Sequence, residues 1–473
     1  MLGGRDMATT EIPDSNTMDE KPWHLSGNNA PVFDELTVTD LEVKGSIPKE
    51  LQGRYFRNGA NPQSGTSDHW FVGDGMIHGV EISDGKANWY RNRYVRTPMF
   101  NNPDKERMEL YLDMEKGAFN YEVSVANTSI LGHAGKIFAL EEGSFPYELS
   151  KDVETIGYHD YGGKLTTAMT AHPKVCGETG ELLMFGYSSL PPYLVYHRIS
   201  ADGELLQSEE ITVGGPTMMH DFTVTRNHSI FLDLPAVFDM EEAMSGGMPI
   251  KWSDDYPSRF GVMPRAGKDS DVKWFDVNPC YVFHTLNSYE EGDEIVVNGC
   301  RLREIWRNSS DIAVSSDPNP EDAPMMWEWR LNMETGAVSE RQIDDRGSEF
   351  PQIPDSLVGL KHRYGYCLST GDGGITSEDE GGATIKYDLA NGGTSEKHNY
   401  PSGHFPGEPS FVPAEGAVNE DDGYLMTYVY AGDTNTSYLS ILDASNISAE
   451  PLAEIHIPQR VPTGFHGTWI SDS

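Results

Sequence analysis

Short strand-like segments separated by Gly, Asn, Asp or Pro recur along almost the whole chain, and this pattern constrains the fold more than any other feature. The segments are 76–83, 89–96, 130–140, 182–187, 193–199, 229–234, 423–430 and 437–443. Asp84-Gly85 and Asp202-Gly203 follow two of them and are typical of tight hairpin turns, so we expect antiparallel pairing. Helical candidates are few: a short helix within 237–246 and a charged turn at 104–111.

The length of the chain limits how such strands can be arranged. A chain of 473 residues needs either several domains or one large closed architecture. Its 48 glycines and 29 prolines are dispersed, and no linker interrupts the pattern. A β-propeller fits best, because it closes a long series of antiparallel sheets around one axis. We therefore predict an all-β propeller as a single catalytic domain over 31–473, preceded by a loosely ordered segment over 1–30.

Four histidines lie far apart in the chain, each in an apolar or turn context. They are His172 in Thr-Ala-His-Pro, His220 in Met-Met-His-Asp-Phe, His284 in Val-Phe-His-Thr-Leu and His466 in Gly-Phe-His-Gly-Thr-Trp. The separations of 48 (220 − 172), 64 (284 − 220) and 182 (466 − 284) residues exceed what one helix or hairpin can bring together. A propeller can do so, because inner-strand starts of different blades converge on its axis.

Imidazole nitrogen is a ligand for Zn, Cu, Fe and Ni. Structural zinc sites more often use thiolates at close spacing, and the four cysteines of this chain form no CxxC pair. An octahedral metal with four imidazoles keeps two positions open for dioxygen or water, which favours iron(II). The alternative is that these are ordinary core or surface histidines, since the chain has 15.

Three glutamates have unusual neighbours for solvated surface acids. Glu142 follows an apolar strand and precedes Gly143, Glu349 lies in Gly-Ser-Glu-Phe-Pro, and Glu408 lies in Pro-Gly-Glu-Pro. Metal-bound histidines usually donate their second N–H to a carboxylate, a carbonyl or water, so these glutamates are candidate partners of the imidazoles. In so acidic a chain, plain surface carboxylates are the alternative.

Charge and composition limit the partners. The net charge is −39, which disfavours nucleic acid and purely electrostatic docking on anionic lipid. The first 23 residues lack the apolar core of a secretory signal, and no run of about 18 apolar residues occurs. We therefore expect a cytoplasmic protein without a disulfide framework. An apolar patch near Phe100, or the segment 190–193, is a candidate for peripheral membrane contact.

Several blocks of the chain resemble the carotenoid cleavage oxygenase family, which includes apocarotenoid and lignostilbene dioxygenases. The blocks run in family order from about residue 35 to the end. They include Leu-Gln-Gly-Arg-Tyr-Phe-Arg-Asn-Gly-Ala-Asn-Pro from Leu51, His-Trp-Phe-Val-Gly-Asp-Gly-Met-Ile-His from His69, all four histidine contexts, and Gly-Glu-Pro-Ser-Phe-Val-Pro from Gly407.

The resemblance implies a seven-bladed propeller with a loop or short-helix cap over one non-haem Fe(2+) per chain. It also implies that His172, His220, His284 and His466 bind the iron, and that Glu142, Glu349 and Glu408 orient three of those imidazoles. The reaction it implies is oxidative cleavage of a conjugated C=C bond by O2, which gives two carbonyl products. Four aromatic residues are candidates for lining the substrate tunnel, with the propeller core as the alternative: Phe71, Phe222, Phe283 and Trp469.

The resemblance implies a lipophilic polyene or a stilbene as the substrate. Phenol-recognising stilbene cleavers of the family carry a lysine just before the first of these glutamates, whereas this chain has Glu141. That difference favours a carotenoid or apocarotenoid, with a lignostilbene-cleaving or phenylpropenoid-cleaving dioxygenase as the alternative. Two further alternatives are a propeller binding module with vestigial histidines and an isomerase that acts on membrane-bound ester.

Overall fold

The computed structural model describes residues 21–113, 117–239, 249–307, 323–371 and 381–472. Regular structure in these ranges is mostly β-strand, with two short α-helices, α1 (Pro98–Asn101) and α2 (Arg107–Tyr111). Single turns of 3-10 helix occur at Trp23–Leu25, Gly27–Asn29, Asp269–Asp271, Asp355–Leu357 and Leu389–Asn391. None of the helices in the described ranges has the length and apolar character needed to cross a membrane.

The strands are short and evenly distributed. The first fifteen are β1 (Thr37–Val38), β2 (Val43–Gly45), β3 (Gly53–Arg57), β4 (Met76–Ser83), β5 (Lys86–Tyr94), β6 (Leu112–Asp113), β7 (Ala118–Phe119), β8 (Ser129–His133), β9 (Lys136–Leu140), β10 (Tyr147–Leu149), β11 (Thr155–Tyr158), β12 (Lys174–Val175), β13 (Leu182–Tyr187), β14 (Leu194–Ile199) and β15 (Leu205–Glu210). The others are β16 (Thr223–Val224), β17 (His228–Asp233), β18 (Ala236–Phe238), β19 (Ile250–Trp252), β20 (Arg259–Pro264), β21 (Lys273–Asp276), β22 (Tyr281–Glu291), β23 (Glu294–Leu302), β24 (Met325–Asn332), β25 (Val338–Gln352), β26 (Tyr364–Gly371), β27 (Ala383–Asp388), β28 (Thr394–Asn399), β29 (His404–Pro406), β30 (Ser410–Pro413), β31 (Gly423–Ala431), β32 (Thr436–Asp443), β33 (Ala453–Ile457) and β34 (Gly467–Ser471).

Most of these strands form the seven blades of a β-propeller, while β6 with β7 and β18 with β19 form two separate two-stranded sheets. From the inner strand outward, blade 1 is β34-β3-β4-β5-β1, blade 2 is β8-β9-β10-β11, blade 3 is β12-β13-β14-β15 and blade 4 is β16-β17-β20-β21. Blades 5 and 6 are β22-β23-β24-β25 and β25-β26-β27-β28, and blade 7 is β30-β31-β32-β33-β2. The 15-residue β25 serves two blades because its first half pairs with β24 and its second half with β26.

The two ends of the chain are joined through blades 1 and 7. The last strand, β34, pairs with β3, and the early strand β2 pairs with β33. Each of these blades therefore contains strands from both ends of the chain, which is how a propeller avoids an open sheet edge.

The antiparallel pairing predicted at Asp84-Gly85 and Asp202-Gly203 is confirmed, because β4 pairs with β5 and β14 with β15. β4 and β5 are joined by Asp84-Gly85 with φ values of 51° and 73°, and β8 and β9 by Ala134-Gly135 with values of 50° and 74°. Two consecutive left-handed residues match the right-handed twist of the paired strands.

The helical predictions are confirmed only in part. The charged turn at 104–111 ends in α2. The helix predicted for 237–246 is wrong at its start, where Val237 and Phe238 pair with β19 as part of β18, and its remainder from 240 onward lies outside the described residues. Pairing with a neighbouring strand overrides the weak helical propensity of this short segment. Residues 21–30 form the first two 3-10 turns, with Leu25 buried, while 1–20 are not described, so the proposed division at residue 30 stays a prediction.

Candidate metal centre

The structure brings the four histidines together. The His172 ring centroid lies 4.4 Å from that of His220, 5.0 Å from that of His284 and 4.6 Å from that of His466. The Nε2 atoms of His172 and His220 are 3.0 Å apart, and those of His220 and His284 are 3.3 Å apart. Ligand nitrogens of these three histidines lie within 4.8 Å of one another, a group that can hold a metal ion.

Blade geometry explains how residues 48 to 182 positions apart in sequence meet. His172 and His220 each lie shortly before the inner strands of blades 3 and 4, His284 lies near the start of the inner strand of blade 5, and His466 immediately precedes the inner strand of blade 1. The inner strands of the propeller surround one axis, so their first residues face the same space.

The three glutamates each contact one of these histidines. His220 Nδ1 donates to Glu142 Oε2 at 2.9 Å, His284 Nδ1 to Glu349 Oε2 at 2.5 Å, and His466 Nδ1 to Glu408 Oε1 at 2.9 Å. Glu349 and Glu408 come from the inner strand of blade 6 and the start of blade 7, and Glu142 follows β9 of blade 2. All seven blades thus contribute to the same site.

These hydrogen bonds determine which nitrogen can bind a metal. A neutral imidazole that donates from Nδ1 carries its lone pair on Nε2. When both rings are neutral, the Nε2 lone pairs of His220 and His284 face each other across 3.3 Å, and they repel unless a metal ion or a proton is bound there. The donor set fits a divalent metal for which imidazole is a good ligand.

Burial tunes the charge state of the site. Burial lowers the pKa of His172 well below its usual range, and the neighbouring His220 lowers it further. Burial and the neighbouring His466 likewise lower the pKa of His284. Burial also lowers the pKa of His220, but the charge and hydrogen bond of Glu142 outweigh it, so this pKa lies above its ordinary value. Burial raises the pKa of Glu349 to about 7. Neutral imidazole, the form that binds metals, is therefore favoured at His172 and His284.

The backbone is irregular where it carries the site. The β22–β23 register shifts on both sides of Thr285, next to His284. In β25, Phe350 has a φ of +51°, and its N–H donates a hydrogen bond to the carboxylate of Glu349. Bulges and left-handed non-glycine residues are common at functional sites, because they aim side chains that a regular ladder would direct elsewhere.

Sequence reasoning missed Asp221, the residue after His220. Its side chain is 1% exposed and pairs with Lys174 at 2.8 Å. It also accepts bonds from the N–H and hydroxyl of Thr285 at 2.8 and 2.7 Å. Asp221 therefore joins the inner strands of blades 3, 4 and 5 beside three of the four histidines. A carboxylate between His and Phe in an apolar stretch was the available signal.

Aromatic side chains lie next to the histidines. The Phe283 ring is 5.2 Å from that of His220 and 5.8 Å from that of Trp306. Phe71 is 6.4 Å from Phe283 and 5.8 Å from Phe465. Phe71, Phe283 and Trp306 are all partly exposed, so they form an apolar surface next to the histidines.

The other two predicted tunnel residues lie elsewhere. Phe222 is fully buried in the hydrophobic core, 5.1 Å from Phe185, which agrees with the core alternative. Trp469 on β34 borders a cavity of 360 Å³ that also contacts His172 and His466 and includes Lys174 among its lining residues. This cavity runs among inner strands rather than among the aromatic residues around Phe283.

Known proteins resemble this chain along almost its full length. The family model described as retinal pigment epithelial membrane protein matches residues 29–471. A carotenoid cleavage oxygenase from Mycobacterium tuberculosis is 36% identical, with 94% of this chain and 97% of the relative covered. A carotenoid 9,10(9',10')-cleavage dioxygenase from Crocus sativus is 37% identical, with coverage of 96% and 90%.

Solved structures agree with this match. Lignostilbene dioxygenase from Pseudomonas brassicacearum superposes with a TM-score of 0.85 at 28% identity, covering 95% of this chain and 99% of the other. A cobalt-substituted apocarotenoid oxygenase from Synechocystis superposes with a TM-score of 0.81 at 26% identity, covering 93% and 97%. The chain therefore belongs to the retinal pigment epithelial membrane protein family, the carotenoid cleavage oxygenase family that its sequence motifs indicated.

Proposed function

We propose that this protein is an iron(II)-dependent dioxygenase that cleaves a conjugated C=C bond of a carotenoid or apocarotenoid with O2, giving two carbonyl products. The observation that carries the proposal is the convergence of four imidazoles, three of them bonded to buried or partly buried glutamates. The names of the Mycobacterium and Crocus relatives support the reaction, and the cobalt-substituted Synechocystis structure supports a metal in this fold.

The four histidines would hold the iron through nitrogen ligands alone. When bound, iron(II) supplies the binding and activation of O2, the chemistry that amino-acid side chains lack. Four imidazoles leave room for small ligands, and neutral donors leave the positive charge of the ion undiminished. His466 belongs to this set because its ring centroid is 4.6 Å from that of His172 and 4.8 Å from that of His284.

Three glutamates keep the ligand rings in place. Each accepts the Nδ1 proton of its histidine and so holds both the tautomer and the ring plane. Glu408 also accepts from Gln352 Nε2 and from the Gly467 N–H, both at 2.7 Å, so its carboxylate is held on three sides. The protein's contribution to the reaction is thus positioning rather than acid–base catalysis.

The aromatic residues beside the histidines suit an apolar substrate. Phe71, Phe283, Trp306 and Phe465 offer ring faces and edges to a flat conjugated chain. Phe350 also lies close, with ring centroids 5.2 Å from His284 and 5.3 Å from His466. A conjugated bond held against these rings would lie next to the metal and away from bulk water.

The environment of Glu141 favours a polyene over a hydroxystilbene. Glu141 is 8% exposed and its carboxylate accepts a bond from Arg107 at 2.7 Å. A carboxylate that is already ion-paired cannot stabilise a phenolate as a lysine would. The lignostilbene dioxygenase among the structural relatives keeps stilbene cleavage as the second candidate.

Product analysis after anaerobic reconstitution with ferrous iron tests this proposal. The loaded protein is exposed to air with β-apocarotenals and with hydroxystilbenes in parallel. We expect aldehydes from the polyenes, about one iron per chain, and loss of both in His220→Ala. Glu204→Gln, a change at an exposed residue just before β15, the outermost strand of blade 3, is the control. Aldehydes from stilbenes alone would reverse the substrate assignment, and full activity in His220→Ala would refute the metal centre.

We further propose that a cytoplasmic form of this protein collects substrate by peripheral membrane contact at the loop after β13. Leu190 is 43% exposed there and is followed by the exposed Pro191 and Pro192. Because the protein carries a charge of −39, uncharged phosphatidylcholine vesicles are the suitable probe. We expect Leu190→Asp to reduce co-sedimentation with them, whereas Leu206→Asp, at a residue 54% exposed on β15, leaves it unchanged. Equal binding by both variants would contradict this surface.

A further inference from the structure

Two residues of the helix α2 form hydrogen bonds with the segment that carries Glu142. Arg107 Nη2 donates to Glu141 Oε1 at 2.7 Å, and Tyr111 Oη donates to the carbonyl oxygen of Gly143 at 2.7 Å. Residues four apart lie on the same helix face, and the Arg107 guanidinium lies 5.2 Å from the centre of the Tyr111 ring. The residues on either side of Glu142 are thus both bonded to one helical turn.

The segment 141–143 is closely packed against this helix. The Gly143 N–H donates to Glu141 Oε1 at 3.1 Å, and Ser124 Oγ donates to Glu141 Oε2 at 3.4 Å. A Cβ atom at Gly143 would lie 2.8 Å from Glu141 Oε1 and 2.9 Å from Arg107 Nη2. The glycine therefore allows the guanidinium, the carboxylate and the backbone to approach one another.

Glu142 needs such support because it lies outside the sheet. β9 ends at Leu140, so ladder hydrogen bonds do not hold the next three residues. The other two glutamates are held by the propeller itself, Glu349 within β25 and Glu408 by Gln352 and Gly467. The direction of the Glu142 carboxylate therefore depends on how residues 141 and 143 are held.

We propose that Arg107 and Tyr111 of α2 are positioning residues for the metal centre: they hold segment 141–143 so that Glu142 accepts the Nδ1 proton of His220. This inference rests on the proposed metal site. It gives α2 a specific part in metal binding, one that acts through the 2.9 Å bond between Glu142 and His220.

Binding of Co2+ to the metal-free full-length protein tests the proposal without any turnover. Partners that orient a metal ligand directly typically contribute 10- to 100-fold to metal affinity. Arg107 acts through Glu142 and not on a ligand itself, so we expect Arg107→Ala to weaken Co2+ binding by about tenfold, the lower end of that range. Tyr111→Phe removes one hydroxyl, so it serves as a second variant that keeps the packing of the helix. We expect it to weaken binding by about threefold, in line with the loss of one hydrogen bond. Both variants should shift the visible absorption bands of bound Co2+.

Arg96→Ala is the matched control. Arg96 also pairs with a carboxylate, Glu35 at 2.5 Å, and lies 4.4 Å from the centre of an aromatic ring, that of Phe100. It is comparably exposed, at 43% of its side chain against 36% for Arg107. We expect this variant to bind Co2+ as the unmodified protein does.

A double-mutant cycle with Glu142→Gln separates positioning from a general structural effect. If α2 acts through Glu142, the change at Arg107 adds little to the loss caused by Glu142→Gln, because the bond that it supports is already altered. Additive losses would overturn the proposal, as would unchanged affinity in both α2 variants. A failure of the unmodified protein to bind Co2+ or Fe2+ would instead refute the metal site itself, and the α2 proposal with it.

Discussion

Replacing Glu408 by glutamine should weaken the metal centre more than the same change at Glu142, because the two carboxylates differ in how completely they are enclosed. The Glu408 side chain is 2% exposed and accepts three hydrogen bonds, from His466, Gln352 and the Gly467 N–H. The Glu142 side chain is 22% exposed, so water can approach it.

The cost follows from counting donors and acceptors. Glutamine has one acceptor oxygen and one NH2 group, whereas all three groups around Glu408 donate. If the NH2 takes the place of Oε2 it faces the Gly467 N–H, and if it takes the place of Oε1 it faces both His466 Nδ1 and Gln352 Nε2. One buried donor at least is left without an acceptor, which costs about 1–3 kcal/mol. A 10- to 100-fold loss of metal affinity corresponds to about 1.4–2.8 kcal/mol, so the two estimates agree.

The assay is anaerobic competition for Fe2+ between the metal-free protein and a chromophoric chelator. We expect Glu408→Gln to lower affinity by about 10- to 100-fold, Glu142→Gln to lower it less, and the exposed control Glu204→Gln to leave it unchanged. Circular dichroism and thermal melting establish that each variant is folded. A folded Glu408→Gln variant with unaltered Fe2+ affinity would refute the argument that these carboxylates orient the ligands.

Three further predictions concern stability and local packing. Burial lowers the pKa of His197 to about 4, so its neutral form stabilises the fold above the unfolded pKa of about 6.5, and this contribution falls as pH drops from 6.5 towards 4. In chemical denaturation, the unmodified protein should lose about 3 kcal/mol more over this range than His197→Gln does, and parallel pH profiles would contradict this. Gly467→Ala should lower the metal content measured by mass spectrometry, because a Cβ there would lie 2.4 Å from the Tyr55 hydroxyl and displace the residue next to His466. Unchanged metal content would show that the strand adjusts freely. Asn58→Ala should reduce the free energy of unfolding by about 1–3 kcal/mol, because the fully buried amide donates to the carbonyls of Ala126 and Ser129, and an unchanged melting temperature would count against this role.

Local signals in the sequence were sufficient for the eight strand-like segments chosen from it, each of which overlaps a strand of the structure. Asp84-Gly85 adopts the left-handed turn that its residues favour, and the flanking strands pair as expected. Where the local signal was weak it failed, as at Val237 and Phe238, which pair as a strand although their neighbours suggested a helix. The marginal helical propensity of so short a segment is outweighed by pairing with β19.

The histidines and glutamates could be chosen by context, but their pairing could not. Nothing in the residues around Glu142 says that its carboxylate bonds His220 rather than His172, because they come from blades 2 and 4. The aromatic residues show the same limit: Phe222 and Phe283 both lie within two residues of a candidate histidine ligand, yet Phe222 packs in the core and Phe283 faces the histidines. Arg107 carried no distinctive signal, although it contacts the site through Glu141, the residue before Glu142.

The sequence by itself thus determined the all-β class, the hairpin turns and, through its motifs, the identity of the candidate ligands, since each depends on a few neighbouring residues. Only the tertiary structure decided which glutamate accepts a hydrogen bond from which histidine and which aromatic rings border the centre. It alone also placed α2 in contact with the segment around Glu142. Those relations depend on how seven blades are placed around one axis. Contacts between blades join residues that are far apart in the sequence, so the residues around each partner do not indicate the contact.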